Sequence, residues 1–179
     1  LCRIKNEQDP VRSAVFTELA RYNASIFTDR HIKELTLLVD SVIDARDTSH
    51  ATRYAVQQFA FAVMTQNVSN PGGELFLFSL ETTKKLTKQM GQLVFPSLEK
   101  NIPHGLEKSV FNAIYPLVVD SNKRENYNVA IALAAAMGKR GHHIAQLQDL
   151  LEEAIAAKPQ YVATQAVRYW LEPKETRDE

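Results

Sequence analysis

The sequence has 179 residues, of which 45% are hydrophobic, and its 21 basic and 21 acidic side chains leave a formal net charge of zero. That length is ordinary for one domain, and the balanced charge disfavours a protein that binds nucleic acid mainly through its phosphates. The single cysteine, Cys2, excludes an internal disulfide and favours a reducing compartment. We therefore expect an intracellular, cytoplasmic protein. The longest apolar run, 129–137, is about half the roughly 20 residues that span a bilayer, which predicts no membrane association.

Apolar residues recur at helical spacing along most of the chain, whereas alternating strand patterns are scarce. Asp9 and Pro10 predict the start of a first helix, because an aspartate can cap free amides and a proline at the first helical position loses no hydrogen bond. Further helices are predicted from about 29 to 46 and from about 48 to 66. Pro71-Gly72-Gly73 then interrupts the helical pattern.

The stretch from 74 to 100 is the least regular part of the chain. Its pattern fits two helices, 74–83 and 85–100, nearly as well as one long bent helix. Beyond it the periodicity becomes regular again and predicts four more helices, at about 103–117, 122–140, 142–157 and 159–171. Pro116 is expected to bend the end of the first of these. The charged tail, 173–179, is expected to fray, and the whole chain, 1–179, is predicted to form a single domain.

A local motif recurs along these predicted helices. Arg12 and Arg53 each follow an Asn or Asp by six residues and precede an Ala-Val pair. Asn126 follows Asp120 by the same spacing, and Thr164 holds the corresponding place in the last helix. These four anchors predict an internal repeat of roughly 37 to 41 residues, and such a period is typical of helical-hairpin repeats.

With this period and motif, the sequence resembles the HEAT/armadillo-type repeat family. Each family unit has two antiparallel helices, an Asp in the turn between them and a Val-Arg pair near the start of the second helix. Asn6 with Val11-Arg12, and Asp47 with Arg53, match that pattern best. The resemblance implies an all-α superhelix, or solenoid, of about four and a half antiparallel hairpins, whose units stack because one hairpin cannot bury its own apolar face.

The resemblance also implies structural roles for the repeated polar residues. In the family the turn Asp and the helix Arg form a ladder between successive units. This predicts a structural ladder built from Arg12, Asp47, Arg53 and Asn126. The chain starts without a methionine, inside what resembles the end of a unit, so we expect a segment of a larger solenoid.

We find no residue set that predicts catalysis, a cofactor or a metal. Gly72-Gly73 lacks the Lys and Ser/Thr of a phosphate-binding loop. His142 and His143 are adjacent, so on a helix they point about 100° apart and cannot share one ion. Cys2 has no evident histidine partner. The sequence therefore predicts a binding protein rather than an enzyme, without catalytic or metal-binding residues.

In the HEAT family the second helices line the concave surface. That placement implies that Gln57, Phe61, Lys88 and Arg168 contact a protein partner, since aromatic and arginine side chains are favoured at interface centres. The alternative for Phe61 is that it packs against a neighbouring helix. The leading hypothesis is a non-catalytic scaffold that mediates protein–protein interaction.

Two other functions stay open. One is a nucleic-acid-binding HEAT-like module similar to the bacterial alkylpurine DNA glycosylases, which needs an aromatic and a carboxylate near one point of a basic concave face. Trp170, Asp149 and Arg168 supply the residue types, although the zero net charge disfavours this partner. The other is an enzyme assembled from distant repeats, which needs a deep polar pocket with strongly shifted carboxylates or histidines.

Overall fold

The computed structural model describes residues 7–22, 24–90, 93–122, 125–157 and 160–175. All regular structure in these ranges is helical, and they contain no strand, which confirms the all-α prediction. None of the described helices is both long enough and apolar enough to cross a membrane. The chain divides into two compact units, Leu1–Gly91 and Gln92–Glu179.

The described part of the first unit contains four α-helices, with α3 at its centre. They are α1 (Asp9–Arg21), α2 (Ile32–Ile43), α3 (His50–Gln66) and α4 (Glu74–Met90). Short 3₁₀ segments, Ala24–Ile26 and Asp29–His31, lead into α2, so the helix predicted from about 29 starts as a 3₁₀ turn. Helices α1 and α4 both pack against α3, and α4 also packs against α2.

Four phenylalanines hold the core of the first unit together. The Phe59 ring on α3 is fully buried, and its centroid lies 5.8 Å from that of Phe16, 5.5 Å from Phe27 and 6.4 Å from Phe78. The rings are tilted or edge-to-face, the arrangements that aromatic quadrupoles favour. Because Phe16 belongs to α1 and Phe78 to α4, this cluster fastens three helices to each other.

Asp9 has a different role from the predicted helix cap. Gln8 is the N-cap of α1 and makes no side-chain cap bond, while Asp9 is already helical. The Asp9 carboxylate instead accepts hydrogen bonds from the Ser49 amide (3.1 Å) and the Thr52 hydroxyl (2.8 Å) at the start of α3. Ser49 is the N-cap of α3, and its side chain accepts a hydrogen bond from the Thr52 amide, as serine commonly does at this position.

Helix α4 is continuous from Glu74 to Met90, so the interpretation with two helices is wrong and the one with a single long helix is closer. Residues 93–98 are not helical, which also excludes the predicted helix 85–100, while Gly91 lies outside the described residues. Buried hydroxyls are satisfied inside α4: Ser79 donates to the Phe76 carbonyl (2.6 Å) and Thr83 to that of Ser79 (2.8 Å). Polar side chains therefore do not interrupt this helix.

The described part of the second unit also contains four α-helices. They are α5 (Glu107–Asn122), α6 (Asn128–Met137), α7 (Ala145–Ile155) and α8 (Gln160–Glu175), with a 3₁₀ segment at Gly138–Gly141. Helix α6 packs against α5, α7 and α8. Seven of its ten residues are buried, as expected for a helix that is apolar on nearly every side.

Several predicted boundaries in the second unit are corrected. Helix α5 continues past Pro116 to Asn122, so the helix predicted from 122 begins only at Asn128. Helix α8 runs to Glu175, so 173–175 are helical rather than frayed, and 176–179 lie outside the described residues. The hairpin count, the solenoid arrangement and the single domain over 1–179 stay predictions.

Candidate functional site

Arg12 and Asp47, two of the predicted ladder residues, form an ion pair in the first unit. Arg12 is buried, and its Nη2 lies 2.7 Å from the Asp47 carboxylate and 3.4 Å from that of Asp9. The hydrogen bond from Arg12 is the main reason why the pKa of Asp47 is lowered, and the same bond raises the pKa of Arg12. The pair joins α1 to the loop before α3.

Arg53 and Asn126 do not extend that pair. Arg53 Nε donates to the Gln89 amide oxygen at 3.0 Å, and the Gln89 amide nitrogen donates to the Ile43 carbonyl at 2.9 Å, so Arg53 links α3 to α4 instead of binding Asp47. Asn126 is exposed in the loop after α5, and its backbone N–H bonds the Ser121 carbonyl at 3.0 Å. Asn6 lies outside the described residues.

The four predicted partner-contact residues are scattered. Gln57 is 7% exposed because α3 is covered by α1 and α4, so it offers a partner almost no surface. Phe61 is half-buried on α3, while Lys88 on α4 and Arg168 on α8 are exposed, the last in the second unit. None of the four is among the described residues that line the two concavities below.

The second unit holds a cavity of about 700 Å³, here called the basic pocket. Its described lining residues are His104, Gly105, Glu107, Lys108, Lys139, Arg140, His143, Ile144, Ala145 and Gln146. They include three basic side chains and a single carboxylate, and that excess of positive charge suits an anion. Its size is that of a typical small-molecule site.

The loop that contains Leu98 and Glu99 packs against the end of α6 and positions the basic end of the pocket. The Leu98 and Glu99 amides both donate to the Ala136 carbonyl at the end of α6, at 2.8 and 3.1 Å. The Glu99 carboxylate then accepts from the Lys139 amide at 3.1 Å. Gly138 makes this approach possible, because its φ is +49° and an added Cβ would lie 2.5 Å from Glu99 Oε2. The turn thereby presents Lys139 and Arg140 to the cavity.

Glu107 anchors Arg140 rather than acting on a ligand. It accepts from the Gly105 amide at 2.8 Å and from Arg140 Nη1 at 3.0 Å. Its pKa is lowered, chiefly by a hydrogen bond from its own backbone N–H, with Gly105 and Arg140 adding to the effect against some burial. A carboxyl group that stays ionised at neutral pH is a poor proton donor, so Glu107 does not supply the shifted acid that the enzyme alternative needs.

His104 also holds Arg140. Arg140 Nη1 lies 2.9 Å from His104 Nδ1. Arg140 Nη1 also lies 3.3 Å from His104 Nε2, and because a guanidinium only donates hydrogen bonds, the unprotonated ring nitrogen is the acceptor. Within the described residues, Lys108, Lys139 and His143 make no side-chain hydrogen bond or ion pair, so their donors are available to a ligand.

Helix α7 begins at the pocket without a side-chain cap. Its N-cap residue, Ile144, makes no side-chain hydrogen bond, and its carbonyl accepts from the Leu147 and Gln148 amides. In the described part of the chain, the Ala145 and Gln146 amides have no acceptor. The N-terminus of a helix carries partial positive charge, so these amides add to the attraction for an anion.

The first unit holds a smaller concavity between α2 and α4, here called the acid-rimmed groove. It encloses about 270 Å³, and its described lining is Ile32, Thr36, Asp40, Glu74, Leu77, Phe78, Glu81, Thr82 and Lys85. Leu77 is 45% exposed, whereas Phe78 is buried. Asp40 pairs with Lys85 at 2.6 Å and Glu81 with Lys84 at 3.5 Å. The groove thus combines one exposed apolar side chain, Leu77, with the carboxylates of Asp40, Glu74 and Glu81.

Sequence reasoning missed both concavities. For the groove a signal exists, because Glu74, Leu77, Phe78 and Glu81 recur at the spacing of one helix face. For the basic pocket no local signal exists, because its lining comes from separate segments, 104–108 and 139–146.

Comparisons with protein families, with curated proteins and with solved structures found no match to this chain. The HEAT/armadillo resemblance therefore stays a prediction. Within the described residues, no group of three or more His, Cys, Asp or Glu side chains could hold a metal ion, and Cys2 lies outside them.

Proposed function

We propose that the chain is a non-catalytic scaffold of HEAT/armadillo-type hairpins whose acid-rimmed groove binds a basic amphipathic helix of a protein partner. This proposal rests on the groove between α2 and α4. The exposed Leu77 lines the groove together with the carboxylates of Glu74 and Glu81. A cytoplasmic location and membership of a larger solenoid belong to the same proposal.

Helix packing supports the scaffold part of the proposal. Helices α1 and α3, α2 and α4, and α6 and α8 pack against each other, so in three cases a helix contacts the one that lies two further along the chain. Stacked hairpins make this kind of contact, because equivalent helices of neighbouring units lie side by side. The Arg12–Asp47 pair joins α1 to the segment before α3 in the same way.

The apolar surface and the carboxylates of the groove indicate which class of partner it binds. An apolar cleft between two helices is a common binding site for a third, amphipathic helix, whose apolar residues at i, i+3, i+4 and i+7 fill the cleft. Glu74 forms no ion pair within the described residues, and Glu81 bonds only the half-exposed Lys84. Lysine and arginine on the partner helix would meet these carboxylates, which speeds association and fixes its orientation.

A selection from a displayed library of helical peptides tests this function. Wild-type protein should enrich peptides that combine apolar residues at helical spacing with flanking Lys and Arg. Leu77→Asp, and the double variant Glu74→Lys/Glu81→Lys, should each weaken binding of the selected peptides at least tenfold.

Matched controls lie on α2 outside the described lining of the groove. Leu37, which is 59% exposed, and Glu34 give the variants Leu37→Asp and Glu34→Lys, which should bind like wild type. Selection of peptides without basic residues, or binding that survives Leu77→Asp, contradicts the proposed function.

The basic pocket keeps the nucleic-acid alternative open as a second candidate. Against it, Trp170 on α8 donates to Glu152 (3.2 Å), and none of Trp170, Asp149 and Arg168 is among the described lining of the pocket. A titration with duplex DNA at several salt concentrations separates the two functions. Steep weakening with salt would favour this alternative, whereas absence of binding at low salt would remove it.

A further inference from the structure

The geometry points to the basic pocket as a binding site for the phosphoryl group of a phosphate monoester, held by Lys108, Lys139 and the amides of Ala145 and Gln146. This site lies in the second unit and has no residue in common with the acid-rimmed groove. It is therefore independent of the protein-binding function proposed above.

The available donors are the first argument. Lys108 and Lys139 are exposed, line the cavity and make no ion pair within the described residues. The Ala145 and Gln146 amides at the start of α7 have no acceptor there either. A phosphate monoester carries about −1.5 to −2 charges at neutral pH and three strong acceptor oxygens, so it matches two ammonium groups and two amides.

A carboxylate is a weaker match for the same site. It carries one charge and two oxygens, and would leave part of the positive charge uncompensated. The pocket already contains one carboxylate, Glu107, which is occupied by the Gly105 amide and by Arg140. Glu107 and His104 hold the Arg140 guanidinium from one side, which orients it without any ligand. The arrangement keeps Arg140 in place and leaves the lysines to meet the incoming charge.

The size of the cavity indicates an ester rather than a free ion. About 700 Å³ is far more than a phosphate group fills, since cavities of this size hold drug-sized ligands. Ile144 and Ala145 give part of the wall an apolar character that suits the carbon portion of an ester. That portion belongs either to a small phosphorylated compound or to a phosphorylated side chain of a protein.

An NMR titration of the whole chain tests the site. Inorganic phosphate and a phosphoserine peptide with neutral flanking residues are added at constant ionic strength, and the amide signals of Ala145 and Gln146 are followed. We expect saturable shifts of both signals. The double variant Lys108→Gln/Lys139→Gln should weaken binding at least tenfold, while the control Lys33→Gln/Lys88→Gln, made from exposed lysines of the first unit, should not.

The two ligands also separate the two sources of the phosphoryl group. Peptide binding at least tenfold tighter than that of inorganic phosphate assigns the site to a phosphorylated protein, and a smaller difference excludes that source. The proposal is overturned if neither ligand shifts the two amides, if the unphosphorylated peptide shifts them equally, or if the lysine double variant binds like wild type. Groove variants such as Leu77→Asp should leave phosphate binding unchanged, so either function can fail without the other.

Discussion

The Arg12 guanidinium is buried, whereas Asp47, the carboxylate that it binds at 2.7 Å, is largely exposed: their side chains are 2% and 66% accessible. The two partners therefore contribute unequally. Without Asp47, the buried cation would keep, among the described residues, only the longer contact to Asp9, and its Nε already has no hydrogen-bond partner there. Without Arg12, Asp47 returns to water at little cost.

This asymmetry predicts the order of two stability changes. Asp47→Ala should lower the urea midpoint of unfolding more than Arg12→Met, because methionine fills much of the buried volume and leaves no buried charge. Urea unfolding of both variants at pH 7, followed by fluorescence and circular dichroism, measures the order. A midpoint for Arg12→Met that is equal to or below that of Asp47→Ala would contradict this account of the pair.

Acid should destabilise the protein through carboxyl groups whose pKa is lowered. Burial raises the pKa of Asp9, but hydrogen bonds from Ser49 and Thr52 and the charge of Arg12 outweigh it, so the net shift is downward. The pKa values of Asp47 and Glu107 are lowered as well. These groups contribute stability above their unfolded pKa of about 4, and that contribution is lost as pH falls through the folded pKa.

We therefore expect the free energy of unfolding to change little through these groups between pH 7 and about 5, and to fall below about pH 4. Asp9→Asn should make that fall shallower, because one carboxyl group with a lowered pKa is gone. Urea unfolding from pH 3 to pH 7 measures both curves. The explanation fails if wild type and Asp9→Asn lose stability equally steeply in acid.

Phe59 is expected to be the most costly aromatic residue to truncate in the first unit. Phe59→Ala should cost about 3–5 kcal/mol, the usual range for a fully buried phenylalanine, because three other rings lose their common neighbour. Tyr54 on the same helix is 53% exposed and provides the control, since Tyr54→Ala should change stability by no more than about 0.5 kcal/mol. Similar losses for the two variants would mean that α3 does not form the centre of this core.

Gly138 should matter for both stability and the basic pocket. Gly138→Ala places a Cβ against Glu99 in a left-handed conformation, which costs about 1–3 kcal/mol and moves Lys139 and Arg140. Phosphate binding should weaken in parallel with the loss of stability.

Gly72 serves as the control for that glycine substitution. No atom lies within 4 Å of a Cβ added there, so Gly72→Ala should leave stability and phosphate binding nearly unchanged. Thermal unfolding and the NMR titration provide the two readouts. If Gly138→Ala behaves like Gly72→Ala, the turn after α6 does not position the pocket.

Local signals in the sequence predict much of the fold. Helical periodicity predicts an all-α protein, and the helix predicted from about 48 to 66 corresponds to α3, which runs from His50 to Gln66. Local patterns cannot predict contacts between distant segments. From the sequence alone Asp9 resembles a cap for its own helix, because the donors that it actually binds, Ser49 and Thr52, lie about 40 residues further along the chain. The basic pocket was missed for the same reason, since the contact between Arg140 and Glu107 depends on the packing of α5 against α6.

The Arg12–Asp47 contact joins two residues of the repeated motif, whereas the next motif arginine, Arg53, bonds the Gln89 amide instead of an aspartate. A motif can therefore position a side chain without determining its partner. Gln57 illustrates the same limit, because the repeat resemblance implied that it faces a partner, whereas the packing of α1 and α4 against α3 leaves it only 7% exposed.

Photo-crosslinking from position 77 measures directly whether the acid-rimmed groove binds a basic amphipathic helix. A photoreactive benzoylphenylalanine replaces Leu77 in the groove or, as the control, Leu37 on the neighbouring helix, and the crosslinked segment is sequenced by mass spectrometry. We expect that position 77, and not position 37, crosslinks to a protein, through a segment with apolar residues at helical spacing and flanking Lys or Arg. Equal capture at both positions, or an acidic segment at position 77, would contradict it.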